Sequence, residues 1–275
     1  MLVAGPAEGA PIVLLHGIPE GAEGWRTVLP RLGAAGYRAY APDLPGYGFT
    51  RLPATADYSL AGAAELFAGW LSRERIAPTW VVGHDIGGAV AQILVVRHPH
   101  LVERLTISNA PVERSWPVTP VRVFRFVARL HLYAPAAALG LIPNPYAWWA
   151  LRRGYANPVR LEADVARRVF WDSKVTDPRG RREFERHLAA LDNVQTAEVA
   201  TRLPEGKAPT LLLWGSKDVY LPWQTVGRRL QALLPRADVR LIEDAGHSPH
   251  LETPSAFVDA LLTWKQSRTQ NRSTQ

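Results

Sequence analysis

Residues Gly83-His84-Asp85-Ile86-Gly87 constrain this chain more than any other stretch. They join an apolar run, Trp80 to Val82, directly to a helical pattern that begins near Gly88. A strand that becomes a helix within so few residues strains its middle residue and brings backbone close on both sides. Glycine is therefore needed two positions before and two positions after the apex. Asp85 is that apex. Taken alone, the five residues also fit an aspartate that caps a helix in solvent, so the rest of the chain has to decide.

Short apolar runs alternate with helical patterns at both ends of the sequence, the mark of βαβ units and a mostly parallel sheet. The strand candidates are Ile12 to Leu15, Arg38 to Ala41, Trp80 to Val82, Leu105 to Ile107, Leu211 to Trp214 and Val239 to Ile242. Between them lie helix candidates at Gly24 to Ala34, Leu60 to Arg75, Gly88 to Arg97, Thr225 to Leu234 and Ala256 to Trp264. Ser59 is placed to cap the second, and Pro254 with Ser255 to open the last. From about Pro111 to Leu203 the rhythm stops: no buried strand stands out, and Arg, Trp, Tyr and Pro are frequent. The expected organisation is a core over residues 1–111, a helical cap over 112–203, the rest of the core over 204–265 and a flexible polar tail over 266–275. Such an insertion would lie over the carboxyl ends of the strands, where open α/β sheets bind ligands. Only Met1 to Pro11 precede the first strong strand, so an earlier edge strand is expected to be very short or absent.

Composition narrows the function. In 275 residues, 47% are hydrophobic and none is cysteine, which excludes disulfides, thiolate metal sites and a cysteine nucleophile. No apolar run reaches the roughly 18 residues needed to cross a bilayer, and no charged leader opens the chain, so a soluble cytoplasmic protein without membrane partners is expected. The net charge of +7 raises the question of nucleic acid. The arginines are dispersed, however, with clusters only at Arg152-Arg153, Arg167-Arg168 and Arg179 to Arg182, and none alternates with stacking aromatics. A solvated surface is the better reading. His98, His100, His131, His187 and His250 show no ligand spacing with carboxylates, so no metal is expected. Neither G-x-G-x-x-G nor a P-loop occurs, which argues against nucleotide cofactors.

Three further motifs bear on Asp85. His16-Gly17-Ile18-Pro19 follows the first strong strand, Gly215-Ser216-Lys217-Asp218 follows Leu211 to Trp214, and Asp244-Ala245-Gly246-His247-Ser248-Pro249 follows the last strand. With Asp43-Leu44-Pro45-Gly46-Tyr47-Gly48, these motifs make the chain resemble α/β-hydrolase-fold enzymes of the epoxide hydrolase and haloalkane dehalogenase branch over nearly its whole length. The resemblance implies a mostly parallel sheet flanked by helices, with a helical cap inserted after the sixth strand. It implies a nucleophile, acid and base in the order Asp85, Asp218, His247, and an oxyanion hole formed by the backbone N–H groups of Ile18 and Ile86.

A carboxylate at the nucleophile position changes the chemistry. It is ionised at neutral pH and displaces a leaving group from an sp³ carbon without a base. Asp85 would form an alkyl ester, and His247, oriented by Asp218, would activate the water that cleaves it. In the dehalogenases that the chain resembles, a Trp after the nucleophile and often an Asn in the H-G-x-P loop hold the halide; here these positions are Ile86 and Ile18. Haloacetate dehalogenases place Arg near the nucleophile, which Ile86 and Ala89 do not replace. Opening of an epoxide, without cofactor, is therefore the leading expectation. A dehalogenase is the alternative, and a member that binds or rearranges a ligand without hydrolysis is a second one.

Epoxide hydrolases also need cap donors, usually two Tyr, for the oxirane oxygen. Trp148 and Trp149, with Tyr146 or Tyr155 as partner, are expected in this role, and near His187 and Gln195 no second Tyr occurs. Tyr220 is expected to line the pocket, His84 to pack beside the turn, and Asn109 either to brace the triad or to form a turn. Cap aromatics point to a bulky, partly aromatic small-molecule substrate, and the chain is expected to be a monomer or homodimer.

Overall fold

The computed structural model describes residues 1–142 and 151–273, the side chains of residues 163, 164, 170 and 269–273 excepted. Its seven strands are β1 (Leu2–Ala4), β2 (Ala10–Leu15), β3 (Tyr37–Ala41), β4 (Thr79–His84), β5 (Val102–Ser108), β6 (Thr210–Gly215) and β7 (Asp238–Ile242). They form one sheet in the order β1-β3-β2-β4-β5-β6-β7. Only β1 runs antiparallel to its neighbour; the other pairs are parallel. β1 is three residues long, the short edge strand that the few residues before β2 allow.

Side chains alternate across the sheet. Ile12, Leu14, Trp80, Val82, Leu211 and Leu213 enter one core cluster with Trp25, Leu32, Phe257, Leu261 and Trp264. Val13, Leu15, Val81, Leu212 and Trp214 enter the other, with residues of the helices Leu60–Arg73 and Ile86–Arg97. A period of two with both faces apolar is what helices on both sides of a parallel sheet require. β4 and β6 are buried along their whole length, which explains their continuous apolar runs.

Helix boundaries depart from the expected ones in three places. Gly24 to Ala34 divides into a 3-10 turn, Ala22–Trp25, and a helix, Leu29–Ala34, with Pro30 in its first turn, where a missing N–H is tolerated. Thr225 to Leu234 opens as a π-helical turn, Trp223–Gly227. The last helix runs from Pro254 to Ser273, taking in residues expected to form a flexible tail. Trp264 and Arg268 both donate to Asp238 Oδ2, tying this helix to β7. Ser59 caps as expected, its Oγ accepting from Gly62 N at 3.1 Å.

Between β5 and β6 the described residues are helical or irregular, with helices at Thr119–Arg129, Tyr133–Ala138, Pro178–Ala190 and Val194–Ala200 and a π-helical segment at Arg167–Thr176. The insertion therefore leaves after the fifth strand of this sheet, where the resemblance counted six. No described helix is long and apolar enough to cross a membrane.

Candidate active site

β2 and β4 are neighbours, although β3 comes between them in the chain, so the strand order reverses at this pair. Loops leaving the carboxyl ends of two such strands diverge and open a crevice. Here they are the loop that begins at His16 and the turn at Asp85. They approach so closely that a Cβ on Gly17 would stand 2.7 Å from Asp85 Cβ.

Asp85 has φ 49° and ψ −123°, a conformation that residues with a side chain avoid. Three backbone bonds hold it: Asp85 N donates to Ser108 O, and Asp85 O accepts from Gly88 N and Ala89 N. A Cβ on Gly83 would lie 2.4 Å from Gly87 O, and one on Gly87 2.4 Å from Leu15 O. Both glycines are thus required by backbone approach, as the sequence pattern implied.

The structure brings Asp85, Asp218 and His247 together. His247 Nδ1 lies 2.9 Å from Asp218 Oδ2, and Nε2 lies 3.3 Å from Asp85 Oδ2. Asp218 Oδ2 also accepts from Asn109 Nδ2 at 2.8 Å, while Oδ1 accepts from the backbone of Tyr220 and Leu221. Asn109, at φ 44°, takes Gly215 N on its Oδ1, so it both turns the chain and braces the acid. Burial raises the pKa of Asp218, but His247 and these donors more than offset it and hold the carboxyl below its usual range. Burial likewise lowers that of His247, yet the carboxylates of Asp218 and Asp85 raise it well above 6.5. Such a group holds a proton while Asp85 is ionised and becomes a base once that charge is removed.

Ile18 lines the cavity beside Asp85, and Ile86 opens the helix Ile86–Arg97. Tyr220 lies edge-on to His247, with ring centroids 5.4 Å apart. His84 is fully buried beside the turn, its Nε2 2.8 Å from His247 O. Tyr155 is buried and lines the cavity, where burial raises its phenol above 10 and so keeps it protonated at neutral pH. Tyr146, Trp148 and Trp149 lie outside the described residues. His187 is committed to packing, with Nδ1 3.0 Å from Tyr58 O, and Gln195 accepts from Ala61 N.

Two features escaped the sequence reading. The first is a buried cluster behind the triad: Glu20 Oε2 lies 3.2 Å from His250 Nε2 and 3.6 Å from His84 Nδ1, and Glu20 Oε1 accepts from Ser248 Oγ. Among the described residues, Glu20, His84 and His250 are the group of this kind whose ligand atoms, all within 4.8 Å of one another, are placed to hold a cation. Burial pushes Glu20 up, but the two histidines beside it prevail and hold it well below the carboxylate range. Glu20 directly follows His16-Gly17-Ile18-Pro19, which was the one available signal. The second feature is Lys174, buried in the wall of the same cavity.

That cavity measures about 160 Å³ and is lined mainly by apolar side chains, including Trp116, Phe124, Trp171, Phe184 and Leu221. Cavities of about 150 Å³ hold benzene, so a ring-sized body fits.

Residues 10–254 match the family described as alpha/beta hydrolase fold, and the chain belongs to that family. It is similar to the "AB hydrolase superfamily protein YfhM" of Bacillus subtilis, 38% identical over 273 residues, which spans 96% of this chain and 93% of that protein. A solved alpha/beta hydrolase fold protein from Burkholderia ambifaria superposes with TM-score 0.80 at 26% identity, covering 95% of this chain and 92% of that one. Part of the chain is also similar to a haloalkane dehalogenase of Mycobacterium marinum, 36% identical over 138 residues, 49% of this chain and 46% of that enzyme.

Proposed function

We propose that this chain is a cofactor-free epoxide hydrolase that converts an epoxide to a vicinal diol through an ester on Asp85. The observation that carries the reading is a carboxylate at the apex of the strained turn, facing an apolar cavity, with His247 Nε2 3.3 Å away. Asp85 attacks an oxirane carbon and the C–O bond breaks, its electrons passing to the oxygen. Tyr155, a neutral phenol in that cavity, donates the proton; Trp148, Trp149 and Tyr146 are the other candidate donors. Esterification removes the Asp85 charge that held a proton on His247, so this proton passes through solvent to the phenolate and the neutral imidazole then takes a proton from water. The resulting hydroxide attacks the ester carbonyl, and the N–H groups of Ile18 and Ile86 receive the charge that develops on its oxygen. Collapse releases the diol and restores the Asp85 carboxylate beside a protonated His247, the state from which the cycle began.

Ile18 and Ile86 beside Asp85 offer no side-chain donor to a halide. Trp171 in the cavity wall and the partial similarity to a haloalkane dehalogenase favour dehalogenation as the second reading. A panel of aromatic and aliphatic epoxides and haloalkanes, assayed in parallel for diol and for free halide, tests both. Diol without halide is expected; halide alone overturns the epoxide reading.

A further inference from the structure

Lys174 is the cation that the proposed chemistry does not use. It sits in the π-helical segment Arg167–Thr176, is 1% exposed, and forms part of the wall of the cavity that holds Asp85. Its ammonium carries three donors. One goes to Val169 O at 2.9 Å and a second to Ser173 Oγ at 3.3 Å, both neutral acceptors. The ammonium stands 5.6 Å from the centre of the Tyr47 ring. Among the described residues it makes no ion pair.

The carboxylates whose charge acts on it, Asp43, Glu20 and Asp172, have other hydrogen-bond partners. Asp43 accepts from Ala22 N and Phe49 N, Glu20 from Ser248 and His250, and Asp172 from Arg167. Burial lowers the Lys174 pKa to about 8 against the pull of Asp43, Glu20 and Asp172, so the group remains mostly cationic at neutral pH. A buried charge satisfied only by neutral acceptors is costly, and a chain that retains one beside an apolar cavity gains when a ligand brings the missing charge.

We propose that Lys174 anchors a carboxylate on the substrate, so that the site takes amphipathic acids: an aromatic or branched body in the apolar cavity and one anionic end on the ammonium. A single monoanion suits one free donor; a phosphate dianion requires several. As a statement about the substrate this rests on the reading that Asp85 attacks within the same cavity. As a binding site it is tested without turnover.

The test is calorimetric titration of the wild-type protein at neutral pH with phenylacetate, 3-phenylpropanoate and 4-phenylbutanoate, each against its uncharged amide. At least one acid is expected to bind about ten-fold or more tightly than its amide, the scale of a hydrogen bond to a charged group. Lys174→Met should abolish that preference while leaving amide binding intact, and His247→Gln, which removes the other cation of the cavity, should keep it. Equal binding of acid and amide by the wild type, or no binding of any acid at millimolar concentration, overturns the proposal. So does a preference that survives Lys174→Met or disappears in His247→Gln. Should Lys174→Met fail to fold, wild-type affinity for the acid falling through the lysine's titration near 8, with amide affinity unchanged, supports the proposal, and a flat profile overturns it. Because Asp85→Asn leaves Lys174 in place, an acid preference retained in that variant separates this site from any failure of the epoxide reading.

Discussion

Asp85 Oδ2 and His247 Nε2 stand 3.3 Å apart, longer than the 2.9 Å bond between His247 Nδ1 and Asp218. The imidazole is thus held firmly by the acid behind it and loosely by the carboxylate in front, as suits a group that must leave Asp85 free to react. The consequence for Asp85 is direct. Single turnover in isotopically labelled water should leave label in the Asp85 carboxyl, read by mass spectrometry of the peptide, and Asp85→Ala should abolish turnover. Label confined to the product would show that water attacks the substrate directly.

The same geometry separates the two half-reactions. His247 touches both carboxylates but is not needed to ionise Asp85, so His247→Gln should still open the epoxide and then stall with the ester in place. Stopped-flow should show a burst in which about one substrate equivalent per site is consumed and held as the ester, with steady-state diol formation lowered on the order of 100-fold or more, the scale of general acid–base catalysis. A missing burst would assign His247 to alkylation as well.

What the sequence shows and what it hides divide along chain separation. The turn at Asp85 is legible because Gly83 answers to the nearby backbone of Gly87, so the glycine spacing is written locally even though Gly87 itself packs against Leu15 of another strand. The strands are legible because burial on both faces leaves continuous apolar runs. Glu20 meets Ser248 and His250 across 228 and 230 residues, and no local pattern announces such contacts. Lys174 lies in a segment whose irregular helix breaks the 3.6-residue period, so its inward direction cannot be counted from its neighbours.

Asn109 is a positioning residue for the acid. Its side chain ties Asp218 to Gly215, so Asn109→Ala leaves Asp218 with His247 and two backbone donors and frees the imidazole to tilt. Loss of one buried hydrogen bond to a charged group, about 1.5–3 kcal/mol, predicts a fall in kcat of roughly ten-fold to a hundred-fold with little change in KM. Kinetics that show a raised KM at constant kcat would place Asn109 in substrate binding instead.

Acid should destabilise the protein through its buried histidines. Burial holds His187 down at about 4, against 6.5 when exposed. The unfolded chain therefore takes up a proton that the folded one refuses, so the stability from this group is complete above 6.5 and is lost as pH falls toward 4. The difference corresponds to about 3 kcal/mol. Urea denaturation of His187→Gln should show a flatter decline between these values than the wild type. Parallel profiles would mean that His187 takes up its proton in the fold at the same pH as in the unfolded chain.

The donor to the leaving oxygen is the least local part of the chemistry, and among the described residues Tyr155 is the proposed candidate. Its phenol lines the cavity that contains Asp85, and burial keeps it protonated at neutral pH. A donor of this kind acts only as the C–O bond breaks, so its loss should slow alkylation while leaving substrate affinity nearly unchanged. Tyr155→Phe keeps the ring and deletes the hydroxyl. Removal of one preorganised donor typically costs about 100-fold to 1,000-fold in rate, and that is the fall expected in the pre-steady-state burst. Trp148→Phe and Trp149→Phe delete indole donors in the same way, and Tyr146→Phe a phenol. A normal burst in Tyr155→Phe together with a collapsed one in any of these three would move the proton donor to that residue and leave Tyr155 as part of the cavity wall.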